Sequence, residues 1–187
     1  RPNYSIISEE NGIENIKDSK NTWIIDPIDG TLNFLHGIPH FAISVALKVN
    51  REIKSGIIFD PIKNEIFYAE KNSGSFFNNR RIRVSKKSDL DDCLFASNHE
   101  GVNHVFPTLN MRYSGCAALD LAYVGSGRLD GFFHNKINIW DIAAGVLIVE
   151  EAGGKVNNLS KYDDNNINVR ASNSNIYTKM LKNLANF

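Results

Sequence analysis

Trp23-Ile24-Ile25-Asp26-Pro27-Ile28-Asp29-Gly30-Thr31-Leu32-Asn33-Phe34 is the stretch on which the fold turns. Residues 22–25 are β-rich, and Pro27 is expected to stop the strand because proline has no N–H to give to a ladder. Asp29-Gly30 is a strong turn signal, and a helix is expected after it. A strand therefore runs straight into an acidic turn. The spacing lets the Asp26 and Asp29 carboxylates and an intervening carbonyl converge on one point, and such hard oxygen ligands suit Mg²⁺. Gly30 permits close backbone approach, so the Gly30 and Thr31 amides form a natural cradle for a phosphate beside the metal.

Working outward, residues 41–49, 55–59 and 65–69 read as strands of an antiparallel meander, separated by Asn50-Arg51, Asp60-Pro61 and Lys63-Asn64. Residues 117–126 carry Ala117, Ala118, Leu121, Ala122 and Val124 at helical spacing, which predicts a close-packing helix. A short strand is expected over 130–133. A second helix is expected over 140–152, with Asp141 at its start and Gly153-Gly154 past its end. Residues 2–18 and 156–168 read as polar loops. Strands alternating with helices give an α/β or α+β chain.

The chain has 187 residues, 42% of them hydrophobic, enough for one packed core, and one domain over 1–187 is expected. Lys plus Arg equals Asp plus Glu at 21 each, so no net field argues for nucleic acid or an anionic membrane. The basic run Arg80, Arg81, Arg83, Lys86, Lys87 alternates with Ile82 and Val84 as an edge strand would. Cys93 and Cys116 are too few for a disulfide framework, no apolar stretch is long enough to span a membrane, and a cytoplasmic protein is expected. Three acidic groups stand out: Glu9-Glu10, Asp26 with Asp29, and Asp141. Taken singly, each also reads as a turn or cap residue.

Taken together they read otherwise. The stretch from Trp23 to Phe34 resembles the first signature of the inositol monophosphatase family, and Trp140-Asp141-Ile142-Ala143-Ala144-Gly145 resembles the second. The similarity runs from about Pro2 to Arg170-Ala171-Ser172-Asn173 and is strongest to the bacterial branch. It implies a layered α/β sandwich of alternating helices and sheets, a Mg²⁺ cofactor of two or three ions, lithium sensitivity and a homodimer. The implied activity is hydrolysis of a small phosphate monoester, such as inositol 1-phosphate, by metal-activated water. Members of the family open with a helical pair before the segment matching Pro2. On that comparison the chain reads as N-terminally short, with one apolar sheet face expected to lie uncovered.

Residue by residue, the resemblance implies that Glu9 binds metal and orients water, that Asp26 bridges two ions, and that the Ile28 carbonyl completes one shell. It implies that Asp29 and Asp141 hold a second ion and that Thr31 hydrogen-bonds the attacking water. Gly30 and Thr31 would give amides to the phosphate, and Gly115, Cys116 and Ala117 would line the alcohol side of the pocket. Cys116 reads as a packing residue, since no paired histidine is evident. Two positions depart from the pattern. Seven residues before Asp141 the family usually has a substrate-gripping glutamate, and here His134 stands. Ser8 replaces a common glycine. The alternatives are a nucleotide 3′-phosphatase or sugar bisphosphatase with the same metal core, with His134 setting the preference, or an inactive relative acting as a binding or oligomerising module.

Overall fold

The structure, a computed structural model, describes residues 3–10, 12–14, 18–98, 110–157 and 166–184. The chain opens with β1 (Tyr4–Ser8), β2 (Gly12–Glu14) and β3 (Asp18–Asp29), followed by the short helix α1 (Thr31–Leu35). A meander of β4 (Ala42–Val49), β5 (Glu52–Asp60), β6 (Glu65–Glu70), β7 (Gly74–Phe77) and β8 (Arg80–Arg81) completes an eight-stranded sheet in the order β2-β1-β3-β4-β5-β6-β7-β8. The second half supplies β9 (Leu94–Ala96), β10 (Asn110–Arg112), α2 (Ala117–Gly125), β11 (Gly131–Ile137), α3 (Ile139–Glu151), β12 (Lys155–Val156), β13 (Ile167–Ser172) and α4 (Tyr177–Asn183). Its strands form a five-stranded sheet in the order β10-β9-β11-β13-β12.

Helices α2 and α3 lie between the two sheets and bury Leu119, Leu121, Ile142, Leu147 and Ile148 there. On the far side of the second sheet, α4 packs Ile176 and Met180 against Cys93, Phe95 and Phe133. Sheet, helix pair, sheet and helix alternate, as the layered sandwich requires. Small residues set the spacing of these layers. A Cβ on Gly56 would sit 2.8 Å from the Ala144 Cα, and one on Gly145 would sit 2.5 Å from the Leu121 Cβ. Neither position has room for a side chain, so α3 is held close to both β5 and α2.

The inner face of β4 is correspondingly small, with Ala42, Ser44 and Ala46 buried against α3. Its larger residues point outward, where Val45 and Leu47 join Trp23, Ile57 and Tyr68 around a shallow apolar depression of about 340 Å³. Ile43, Ile57 and Ile66 are exposed on the same sheet. This is the apolar sheet face expected from the sequence. No helix of the described residues is long and apolar enough to cross a membrane.

Three local expectations differ from the structure. Residues 2–18 do not form a loop throughout: β1 pairs parallel with β3 and antiparallel with β2. A five-residue strand containing two serines carries little local signal, and its order comes from partners distant in sequence. Pro27 does not end β3. The register against β4 shifts between Asp26 and Asp29, so Pro27 and Ile28 occupy a bulge, where a missing N–H leaves no ladder bond broken. Asp141 does not begin α3. Asn138 is the cap, and Asp141 closes a capping box from the first turn. The basic run fits better: Arg80 and Arg81 form the edge strand while Ile82 and Val84 pack on the core. The polar tail is interrupted by β13, and residues 158–165 of it lie outside the described residues.

Candidate active site

The bulge in β3 and the first turn of α3 bring three carboxylates together. One oxygen each from Asp26, Asp29 and Asp141 lies within 4.8 Å of the others. Asp26 ends the regular part of β3, and its Oδ1 accepts the N–H of Ile28 at 2.9 Å, which tightens the bulge. Asp29 follows the bulge, and its Oδ2 accepts the Ala118 N–H at 2.6 Å at the start of α2, with the Cys116 thiol 3.2 Å away. Asp141 Oδ2 accepts the Asn138 N–H at 3.1 Å. Each acid is therefore oriented by backbone of the element that carries it or faces it.

Asp26 and Asp29 are buried and Asp141 is half-buried, and Asp26 is short of donors. Asp26 is 1% exposed, and its Oδ2 meets no hydrogen-bond donor in the protein. Burial, then the Asp141 charge, then Glu9 push the Asp26 carboxyl far above the usual carboxylate range. Burial pushes Asp29 up to about 7, with the Ala118 N–H opposing and Asp26 adding to the rise. Asp141 rises for the same reasons, burial first and the Asp29 charge second. Carboxylates this close to one another are stabilised by sharing a proton or a cation. An oxygen-only donor set with an orphaned buried oxygen fits a hard divalent ion.

Around the carboxylates is an open cavity of about 320 Å³ lined by Glu9, Asp26, Ile28, Asp29, Gly30, Thr31, Leu32, Asn33, Gly115 and Asp141. Gly30 turns the chain into α1 with φ +88°, where a Cβ would press on the His40 carbonyl. Thr31 Oγ1 donates to the Ile28 carbonyl at 2.9 Å, so the hydroxyl and that carbonyl are held side by side at the rim.

The opposite wall is fixed by groups whose pairings carry no motif in the sequence. The Asn33 amide donates to both the His40 and Ser114 carbonyls at 2.8 Å, tying α1 to the turn before α2. Asn98 accepts the Gly115 N–H at 2.8 Å, and its own amide faces buried Asp120 at 3.4 Å. Burial pushes Asp120 up to about 8, with bonds from Ser114 and Asn98 opposing. Such pairings between residues far apart in sequence leave no trace in local pattern.

The inositol monophosphatase family profile matches residues 1–186. The chain belongs to that family. A curated inositol-1-monophosphatase from Mesorhizobium japonicum is 41% identical over 97% of this chain, which spans 74% of that relative. A fructose-1,6-bisphosphatase/inositol-1-monophosphatase from Thermotoga maritima is 45% identical over 88% of the chain and 66% of its own length. The crystal structure of the extragenic suppressor protein SuhB from Bartonella henselae superposes with a TM-score of 0.92 at 42% identity, covering 99% of this chain and 81% of the other. Membership in this phosphatase family and the expected layered fold therefore both hold.

Against the family pattern, the structure gathers Glu9, Asp26, Ile28, Asp29, Gly30, Thr31, Gly115 and Asp141 around one cavity. Cys116 and Ala117 are buried behind that surface and do not line it. Burial, then the Asp29 charge, drive the Cys116 thiol far above its ordinary pKa, so it is a protonated donor and no nucleophile. His134 does not line the cavity either. It sits in β11 with its ring stacked on Phe132 and its Nδ1 donating to the Asn135 carbonyl at 2.7 Å. Ser8 is buried in β1 with ordinary backbone angles, so the change from glycine introduces no strain there. Cys93 and Cys116 are free thiols, and His99 and His104 lie outside the described residues.

Proposed function

We propose that this chain is a Mg²⁺-dependent phosphatase that hydrolyses a small phosphate monoester, with inositol 1-phosphate as the type substrate. The observation that carries the reading is the orphaned, buried Asp26 Oδ2 inside a cluster of three carboxylates. The cavity of about 320 Å³ lies at the small end of ligand pockets, which run from about 300 to 1,000 Å³. Without a cation, three acids would repel a phosphate dianion; with one, the same acids become its anchor.

On this reading Glu9, Asp26, the Ile28 carbonyl, Asp29 and Asp141 hold the Mg²⁺ ions. When bound, Mg²⁺ lowers the pKa of a water and offsets charge on the phosphoryl oxygens and the departing alkoxide. Thr31 Oγ1 donates to Ile28, so its lone pairs face the rim and accept a hydrogen bond from the attacking water. Glu9, exposed at the mouth, orients that water and takes up its proton. The Gly30 and Thr31 amides receive the phosphate oxygens. The water oxygen bonds to phosphorus as the ester P–O bond breaks, and the alkoxide leaves along the Gly115 wall, taking a proton from solvent water while Glu9 returns the one it took to solvent. The homodimer belongs to the same reading, supported by exposed Leu32 at the cavity and by exposed Leu35 and Ile38 further along the same segment.

A second substrate class is favoured by one specific observation: the Thermotoga relative at 45% identity carries a bisphosphatase name as well as an inositol-1-monophosphatase one. A sugar bisphosphate or nucleotide 3′-phosphate is therefore the competing substrate. The intact carboxylate cluster speaks against an inactive binding module. Phosphate release is measured from inositol 1-phosphate, a sugar bisphosphate and a nucleotide 3′-phosphate, with Mg²⁺, with chelator and with lithium. Mg²⁺-dependent, lithium-inhibited release is expected. No release from any ester by well-folded protein would sink the reading.

A further inference from the structure

Cys116 is fully buried at the N-cap of α2, yet its thiol does not face hydrocarbon. Its Sγ lies 3.2 Å from Asp29 Oδ2 and 3.5 Å from the Asp29 carbonyl oxygen. A carboxylate oxygen and a carbonyl can only accept, so the S–H is the donor. The same Oδ2 takes the Ala118 N–H at 2.6 Å. Two donors from different directions on one oxygen fix the plane of the Asp29 carboxylate and leave Oδ1 for a cation. The thiol cannot drift away, because the backbone that carries it is held on both sides. Cys116 N–H bonds the Ser114 hydroxyl at 3.1 Å, and Gly115, at φ +77°, gives its N–H to Asn98.

We propose that Cys116 is a positioning residue that sets the orientation of Asp29 toward the cation through its thiol hydrogen bond. The inference rests on reading the carboxylate cluster as a Mg²⁺ site. It explains why a polar but weak donor stands at a fully enclosed position, where a purely packing role would suit alanine or valine equally well. Groups that orient a metal ligand this way are worth about 10–100-fold in metal affinity, and a thiol donor belongs at the lower end.

The test is Mg²⁺ titration calorimetry on the wild type, Cys116→Ser, Cys116→Val and Cys116→Ala, with thermal unfolding of each without metal. Serine keeps a donor, valine keeps bulk without one, and alanine keeps neither. Valine and alanine are expected to weaken Mg²⁺ binding about tenfold, while serine stays within about threefold of the wild type. If the alanine variant does not fold, the serine and valine pair decides alone. Equal Mg²⁺ affinity in those two variants overturns the positioning role while leaving the cation site standing. A wild type that takes up no Mg²⁺ overturns both.

Discussion

Asp60 and Asp26 are both buried acids on the eight-stranded sheet, yet their surroundings push them in opposite directions. Asp60 is 0% exposed and Asp26 is 1% exposed. Asp60 accepts the N–H groups of Ile62 and Lys63 at 2.9 and 3.0 Å and the Lys63 ammonium at 2.7 Å. Burial alone would raise it, but these donors outweigh burial and hold it below the usual range. Asp26 has one backbone donor and two acidic neighbours, and it rises. A structural acid brings its own partners into the fold. A ligand acid is left short of them, and the shortfall is where a cation belongs.

That contrast can be broken by substitution. Asp26→Asn should lower phosphate release on the order of 10³-fold, since a ligand charge worth several kcal/mol is lost. Its metal-free melting temperature should equal or exceed the wild type, because the amide keeps the shape of the carboxyl without the cost of crowding a third acid into the buried cluster. Asp60→Asn should do the reverse, costing about 1–3 kcal/mol of stability with turnover and Mg²⁺ affinity unchanged. Paired melting curves and initial rates check both. A metal-free Asp26→Asn variant that unfolds well below the wild type would erase the distinction.

The same contrast has a pH signature. Asp29 is pushed from 3.8 up to about 7. Between those values the folded chain binds more protons than the unfolded chain, so ∂ΔG/∂pH is negative. The stability contributed by the protonated cluster is present below pH 3.8 and is lost as pH rises through about 7. Melting temperature without metal should therefore fall over that window, and saturating Mg²⁺ should flatten the fall. A profile unchanged by Mg²⁺ would contradict this. The smallest expected effect is on specificity. Because His134 does not line the cavity, His134→Glu should leave the ratio of rates for inositol 1-phosphate over a sugar bisphosphate nearly unchanged, readable from kcat/KM on both, and a large shift would restore His134 to substrate choice.

What the sequence disclosed follows the range of the interactions involved. Asp26 and Asp29 lie within one turn, and Asp141 sits in a second signature, so the grouping of these three carboxylates was legible in the sequence. The meander and both central helices were legible because their apolar periods are local. β1 was not, because its hydrogen bonds come from β2 and β3. The passage of β3 through Pro27 was hidden by a bulge that only the β4 partner reveals. Asn138, two residues before Trp140, carries the cap that the sequence suggests for Asp141. Asn33, Asn98 and Asp120 leave no local pattern because each works on residues of another element.

The most direct measurement is Mg²⁺ titration of the wild type and Asp26→Asn near neutral pH, with proton release counted in buffers of different ionisation heat. Cation binding to acids that hold protons must displace them. The account predicts saturable Mg²⁺ binding with proton release in the wild type and loss of both in the variant. Mg²⁺ binding of equal strength in the two proteins, or none in either, would contradict it.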